Sequence, residues 1–212
     1  MAKSPRGKEP DWWPRDPHGY IFLARVVEKI GAAMHSDWTG EEATTKEIDP
    51  LPRSQKDATS FHRQMADVLL TQPRSDLWMI DFLNGRGDRE FSDEDWKTVC
   101  EFAQNLHDKR RPALDRLQAT QSEIIKRNET GELDLKIRSA TGGSWRDFRA
   151  DWWGIDDKWR SHFNRGRIDP DYPNGDRPSW VREDNDHWIF ATVQSLEGVL
   201  RDLSGRRGGR RP

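Results

Sequence analysis

The stretch EIIKRNETGELDLKIRSATGGSWRDFRADWW, residues 123–153, combines a helix end, an alternating segment and a cluster of aromatic side chains. Two cationic residues and then Gly131 follow its apolar start, which is typical of a helix end. Apolar and charged residues alternate along Leu133–Ser139, which predicts a strand with one buried face. Residues 140–143 can supply a hairpin turn. The sequence therefore predicts that Ser144–Phe148 returns as the second strand.

An earlier segment has the same order of predicted helix, strand, turn and strand. An apolar helix is predicted to stop at Pro73, the apolar run Leu77–Leu83 follows, and Asn84–Gly87 predicts a turn, so that the next strand lies near Arg89–Phe91. The two hairpins are interpreted as a structural repeat, with one residue inserted after a turn. Two hairpins that obey the same turn rules also match by chance, and the sequence leaves both interpretations open.

Helices are predicted from apolar periodicity and capping residues. They are Tyr20–Met34, a short helix opened by the capping box at 39–42, a helix over about 58–71, one from Ser92 closed by Pro112, and one leading into the second hairpin. Residues 152–163 have helical spacing that Gly166 ends. His187–Thr192 is predicted as a strand, and Ser195 as the cap of a last helix through Leu203.

The predicted fold class is α+β and mostly helical, with tandem winged-helix-like units in which helices are followed by a β-hairpin. The predicted organisation is a flexible N-terminal arm at 1–17, a first winged-helix-like unit at 18–92, a second at 93–165, a turn-rich segment with a strand and a helix at 166–203, and a disordered basic tail at 204–212.

The composition predicts a small aromatic core. Of 212 residues, 33% are hydrophobic and 34% charged, which by itself favours disorder. Eleven Trp and eight Phe favour a folded chain, because each buried ring removes roughly 150–250 Å² from water. The single Cys100 fits a reducing compartment, and the N-terminus lacks the apolar run of a signal peptide. We therefore expect a cytoplasmic protein without a membrane span.

Catalytic and metal signatures are weak in this sequence. The six His lack an HExxH pattern, Cys100 has no CxxC partner, and the acidic run 169–176 lacks the spacing of a calcium loop. We expect no cofactor, no metal site and no enzymatic activity. Trp12-Trp13 and Trp152-Trp153 could stack on bases, but in a chain poor in aliphatic residues core positions are favoured.

Three stretches of the chain are similar to segments of uncharacterised bacterial proteins. They are YIFLARVVEKIG, DWTGEE, and TGELDLKIRSATGG with the DWW that follows it. That resemblance implies no activity. The order helix, short helix, helix, hairpin resembles a winged helix-turn-helix, although a long Pro-rich loop and a low pI depart from that pattern. The resemblance implies that the helix before each hairpin can enter the major groove of duplex DNA and that the hairpin can contact phosphate or the minor groove.

The uneven charge also allows an anionic partner on one face. Residues 109–167 carry a net charge of +5 and the last 12 residues +4, whereas the other segments are acidic. The favoured hypothesis is a nucleic-acid-binding or regulatory protein, as in transcription regulation. The alternative is a protein-interaction or self-association module. The predicted nucleic-acid-binding residues are Arg63, Arg86, Arg89, Arg116, Lys126, Arg127, Lys136, Arg138, Arg146, Arg206, Arg207, Arg210 and Arg211.

Overall fold

A computed structural model of the chain describes residues 13–42, 51–59, 61–63, 65–66, 91–153, 159–173 and 185–208. These residues belong to two compact units. One unit comprises 1–44 and 115–212, and the other comprises 45–114. The predicted first hairpin at 77–91 lies outside the described residues except for its last position. The division into tandem winged-helix-like units stays a prediction.

The elements confirm a mostly helical α+β fold around an antiparallel sheet. In chain order they are β1 (Tyr20–Phe22), α1 (Leu23–Met34), a 3₁₀ helix (Gln55–Asp57), α2 (Asp93–Glu129), β2 (Leu135–Ser139), β3 (Arg146–Asp147), a 3₁₀ helix (Ala150–Trp153), α3 (Trp159–Arg165), β4 (Arg167–Ile168), β5 (His187–Thr192) and α4 (Val193–Gly208).

The sheet is centred on β5. Its order is β1-β5-β2-β3, and β4 also pairs with β5. Tyr20 lies opposite Thr192 in the β1–β5 pair, and Ile137 lies opposite Ile189 in the β2–β5 pair. The predicted hairpin is confirmed, since Ile137 is also opposite Arg146 and the turn places Gly142 at φ 100°. A positive φ at this position favours glycine.

One face of the sheet, which we call the inner face, packs against α1 and α4. Leu135, Ile137, Ile189 and Ala191 alternate with outward residues along β2 and β5 and are buried. Helix α1 adds its apolar stripe, and Trp152 and Trp153 lie in the same cluster, as the sequence predicted. The inner face and its helices form the main hydrophobic core.

The unit at 45–114 has a separate small core. Phe91, Trp96, Val99, Met65 and Leu51 are buried together. The Trp96 indole N–H donates to the carbonyl oxygen of Pro52 at 3.0 Å. The proline-rich loop is thereby attached to the start of α2 by a hydrogen bond that a buried indole requires.

Three predicted boundaries were wrong. Residues 20–22 form a strand instead of the first turn of a helix, because their backbone pairs with β5. Helix α2 continues through Pro112, and its two ends are held by buried side chains that include Trp96 and Ile124. Helix α4 begins at Val193 and extends through Gly208, beyond the expected end at Leu203.

Two other predicted boundaries, the start of α2 and the end of α3, agree with the sequence. Ser92 caps α2 by accepting the Asp95 N–H at 3.1 Å. Helix α3 ends at Arg165, and Gly166 follows at φ 62°. A Cβ at Gly166 would lie 2.2 Å from the Phe22 ring, so this site excludes other residues.

Candidate functional site

The sheet register places a group of aromatic and basic side chains on the side opposite the inner face. We call this group the aromatic face. Its strand members occupy alternate positions of all five strands, and Trp145 precedes β3. The aromatic face consists of Tyr20, Phe22, Lys136, Arg138, Trp145, Asp147, Arg167, Trp188 and Phe190.

The rings of the aromatic face form two layers. Phe22 and Phe190 lie against the sheet, are 0% and 3% exposed, and meet edge to face at 5.9 Å. Above them Tyr20 and Trp145 stack with their ring centroids 3.7 Å apart and their planes 15° from parallel. Trp145 also meets Phe190 edge to face at 5.3 Å. Tyr20 and Trp145 are half-buried, so this outer layer reaches solvent.

Two arginines extend the outer layer. The Arg138 guanidinium lies 5.3 Å from the Trp145 ring centroid, and its Nε donates to the Gly143 carbonyl at 3.0 Å. The Arg167 guanidinium lies 3.7 Å from the centroid of Trp188. A guanidinium held over a ring keeps its charge and its remaining N–H donors available. The aromatic face therefore presents stacked rings and fixed positive charge side by side.

Lys136 contributes less positive charge to this surface. Its ammonium lies 2.5 Å from Asp147 and 3.1 Å from Asp134. The hydrogen bond to Asp147 raises the pKa of Lys136, burial opposes it, and the bond to Asp134 adds to the increase. The amine stays protonated, but the two carboxylates balance it.

Arg127, predicted to bind nucleic acid, is instead a buried structural cation. It is 4% exposed and contacts Glu123 at 2.7 Å, Asp202 at 2.5 Å and Glu132. Burial alone would lower the pKa of Arg127, but the hydrogen bonds to these carboxylates raise it above its usual value. The side chain joins the end of α2 to α4 and leaves little of its charge for a phosphate.

Arg116 has a similar role. It pairs with Asp37 at 2.8 Å and with the fully buried Glu42 at 2.9 Å. Glu42 also accepts the backbone N–H groups of Thr39 and Gly40, which confirms the contact of the predicted capping box. Burial raises the pKa of Glu42, and these N–H donors and Arg116 outweigh it, so the pKa is lowered.

The other predicted residues are dispersed. Lys126 and Arg146 are exposed, Arg146 on the edge strand β3. Arg63 belongs to the other compact unit, where its Nε is buried. Arg206 and Arg207 have helical backbone in α4. Arg86, Arg89, Arg210 and Arg211 lie outside the described residues. Among the described members of the predicted set, the structure brings only Lys136 and Arg138 onto the aromatic face.

The sequence-based predictions missed seven members of the aromatic face, which are Tyr20, Phe22, Trp145, Asp147, Arg167, Trp188 and Phe190. A signal was available in two short segments, Tyr20–Phe22 and His187–Thr192, where aromatic and aliphatic residues alternate. Alternation of this kind predicts a strand whose two faces differ in chemistry. The prediction of a helix over residues 20–34 concealed the first of the two segments.

His162 is a buried titratable residue in the main hydrophobic core. It lies 6.0 Å from Trp153 and 6.5 Å from Phe148 between ring centroids. Burial lowers the pKa of His162, and hydrogen bonds with backbone groups partly oppose that shift. The described part of the chain contains no group of three or more potential metal-ligating side chains. His162 is therefore a neutral core residue.

In comparisons with protein-family models, curated proteins and solved structures, no significant match to this chain was found. The helices that the structure describes include none that is long and apolar enough to cross a membrane.

Proposed function

We propose that this protein binds single-stranded nucleic acid through the aromatic face of its sheet. The observation that carries the proposal is the row of Arg138, Trp145 and Tyr20, where a guanidinium and two stacked rings follow one another. Single-stranded nucleic acids bind to surfaces where aromatic side chains stack on bases and cations contact phosphates, and several RNA-binding domains use a sheet face this way. Arg167 over Trp188 supplies a second pair of the same kind.

The geometry supports this mode better than groove recognition by a winged helix. In the winged-helix interpretation, α2 precedes the hairpin and would present Arg116, Lys126 and Arg127 to duplex DNA. Arg116 and Arg127 are engaged by two and three carboxylates, respectively. Lys126 alone of these three is exposed. Among the three predicted contacts on α2, a single available cation gives weak support for binding in a polyanionic groove.

The test measures fluorescence anisotropy of a labelled, mixed-sequence single strand and of the matching duplex over a salt series. We expect the single strand to bind more tightly than the duplex. Trp145→Ala should weaken binding by about 1–3 kcal/mol, or about 5- to 150-fold, the range for loss of one base-stacking ring. Arg138→Gln should reduce the slope of log affinity against log salt by about 0.7, the value for one contact on a single strand.

Arg149→Gln is the matched control. Arg149 is an exposed arginine close to the hairpin in sequence, it pairs with Asp151 and it lies outside the aromatic face. Its replacement should leave affinity within about twofold of the unchanged protein, since surface ion pairs contribute little. If Trp145→Ala binds as tightly as the unchanged protein, the proposal is wrong. If neither nucleic acid binds at low salt, the aromatic face is better explained as a contact for a protein.

A further inference from the structure

Residues 13–16, which precede β1, fold back beside the aromatic face. Trp13 is half-buried and meets Phe22 edge to face, with ring centroids 5.7 Å apart. Trp13 thus extends the ring cluster at the β1 edge of the sheet. We call residues 13–16 the strap.

The strap is held by one partly buried cation and one carboxylate. Arg25 of α1 donates to the Pro14 carbonyl at 2.9 Å and pairs with Asp16 at 2.9 Å. Its guanidinium also lies 5.6 Å from the centroid of Trp13. Asp16 accepts the backbone N–H of Phe22 at 2.8 Å. The Arg25 side chain is only 16% exposed as a result.

We infer that the strap is an autoinhibitory segment that limits binding of single-stranded nucleic acid to the aromatic face, an inference that rests on the proposed function. In the closed position the strap keeps a cation and an aromatic ring, the two kinds of group that the aromatic face presents, from contacting a ligand. Asp16 neutralises Arg25, and Trp13 covers an edge of Phe22. Release of the strap exposes Arg25 and widens the surface on which bases stack.

The test compares affinity and salt slope for the same labelled single strand between the unchanged protein and four variants. Asp16→Asn removes one carboxylate charge that pairs with Arg25, while its amide oxygen can still accept the Phe22 N–H. We expect tighter binding and a slope steeper by about 0.7, the value for one added contact. The gain at 0.1 M salt should then exceed the gain at 1 M salt by about fivefold. Adding Arg25→Gln to Asp16→Asn should abolish the increase in slope.

Asp37→Asn is the matched control, because Asp37 is also an exposed carboxylate paired with an arginine at 2.8 Å but belongs to another cluster. It should leave affinity and slope unchanged. Trp13→Ala should tighten binding without changing the slope, because it uncovers an edge of Phe22 and removes no charge. Weaker binding by Trp13→Ala would show that Trp13 is a base platform and would overturn the inference. Unchanged slope and affinity in Asp16→Asn would also overturn it.

The two proposals fail in different ways. If Trp145→Ala lowers affinity but Asp16→Asn matches the unchanged protein, the strap inference is wrong and the proposed function stands. If binding is unaffected by Trp145→Ala, the proposed function fails and the strap inference fails with it. Binding by Asp16→Asn where the unchanged protein does not bind would support the strap strongly.

Discussion

The two faces of the sheet differ in composition although they share the same strands. The inner face is aliphatic, and Leu135, Ile137 and Ile189 are at most 1% exposed beneath α1 and α4. The opposite face is aromatic, with two half-buried rings in its outer layer and arginines lying over Trp145 and Trp188. Burial of aliphatic surface away from water explains the composition of the inner face. The aromatic face keeps charged donors beside accessible rings, which burial alone does not require.

Arg127 and Arg138, which were both predicted to bind nucleic acid, have different surroundings in the structure. Arg127 is buried against three carboxylates and stabilises the packing of α2 and α4. Arg138 contacts a ring and a carbonyl and meets no carboxylate within the described contacts. The same residue type therefore serves the core on one side of the sheet and a surface on the other.

The largest expected effect is on the core of the inner face. Trp153 is 3% exposed, stacks on Phe163 at 5.1 Å and donates to Asn128 at 2.8 Å. Trp153→Ala should lower the free energy of unfolding by about 3–5 kcal/mol, the range for deletion of a large buried ring. Urea denaturation followed by circular dichroism measures the change. Phe61→Ala, at a residue 43% exposed, is the control and should cost less than about 1 kcal/mol.

Replacement of Arg127 should have the next largest effect. Arg127→Gln leaves its carboxylates without their cation. Glu132 and Asp202 are about half exposed, so solvent screens part of the lost interaction. We expect a destabilisation of about 1–3 kcal/mol, below the range for a pair with both partners buried. The same urea titration tests it. A loss below about 0.5 kcal/mol would indicate that the cluster is fully solvated.

A smaller effect on stability is expected on the aromatic face. Trp145→Ala removes a ring stacked on Tyr20 but leaves Phe190 covered on its sheet side. The expected cost is about 1–2 kcal/mol, since aromatic pairs contribute about 0.5–1.5 kcal/mol beyond the area they bury. Thermal denaturation of Trp145→Ala and Trp153→Ala under the same conditions compares the loss of stability on the two faces. Equal losses would mean that the aromatic face is as much a core as the inner face.

The smallest expected effect depends on pH. Burial gives His162 a lower pKa in the folded chain than its usual value of 6.5. The unfolded chain therefore binds the proton first as the pH falls, and the free energy of unfolding decreases below pH 6.5. One proton contributes at most about 1.4 kcal/mol per pH unit. His162→Gln should reduce the difference in stability between neutral and acidic pH.

Much of the fold was predictable because it depends on local chemistry. Alternation along residues 133–139 predicted β2, two glycines predicted its turn, and His187–Thr192 was predicted with its observed bounds. Burial of Trp152 and Trp153 also followed from the composition. The continuous helix through Pro112 was missed because a proline removes one hydrogen bond at a cost of about 3 kcal/mol, which packing at both helix ends can offset.

The sequence by itself determined the period of β2 and β5, the hairpin at 140–143 and the cap at Ser92, and it favoured core positions for the tryptophan pair. Tertiary structure alone decided that β5 lies between β1 and β2, and this arrangement brings Tyr20 against Trp145. It also decided which arginines meet carboxylates. Strand period and capping depend on neighbouring backbone groups, whereas the choice of partners among distant segments depends on how the whole core packs.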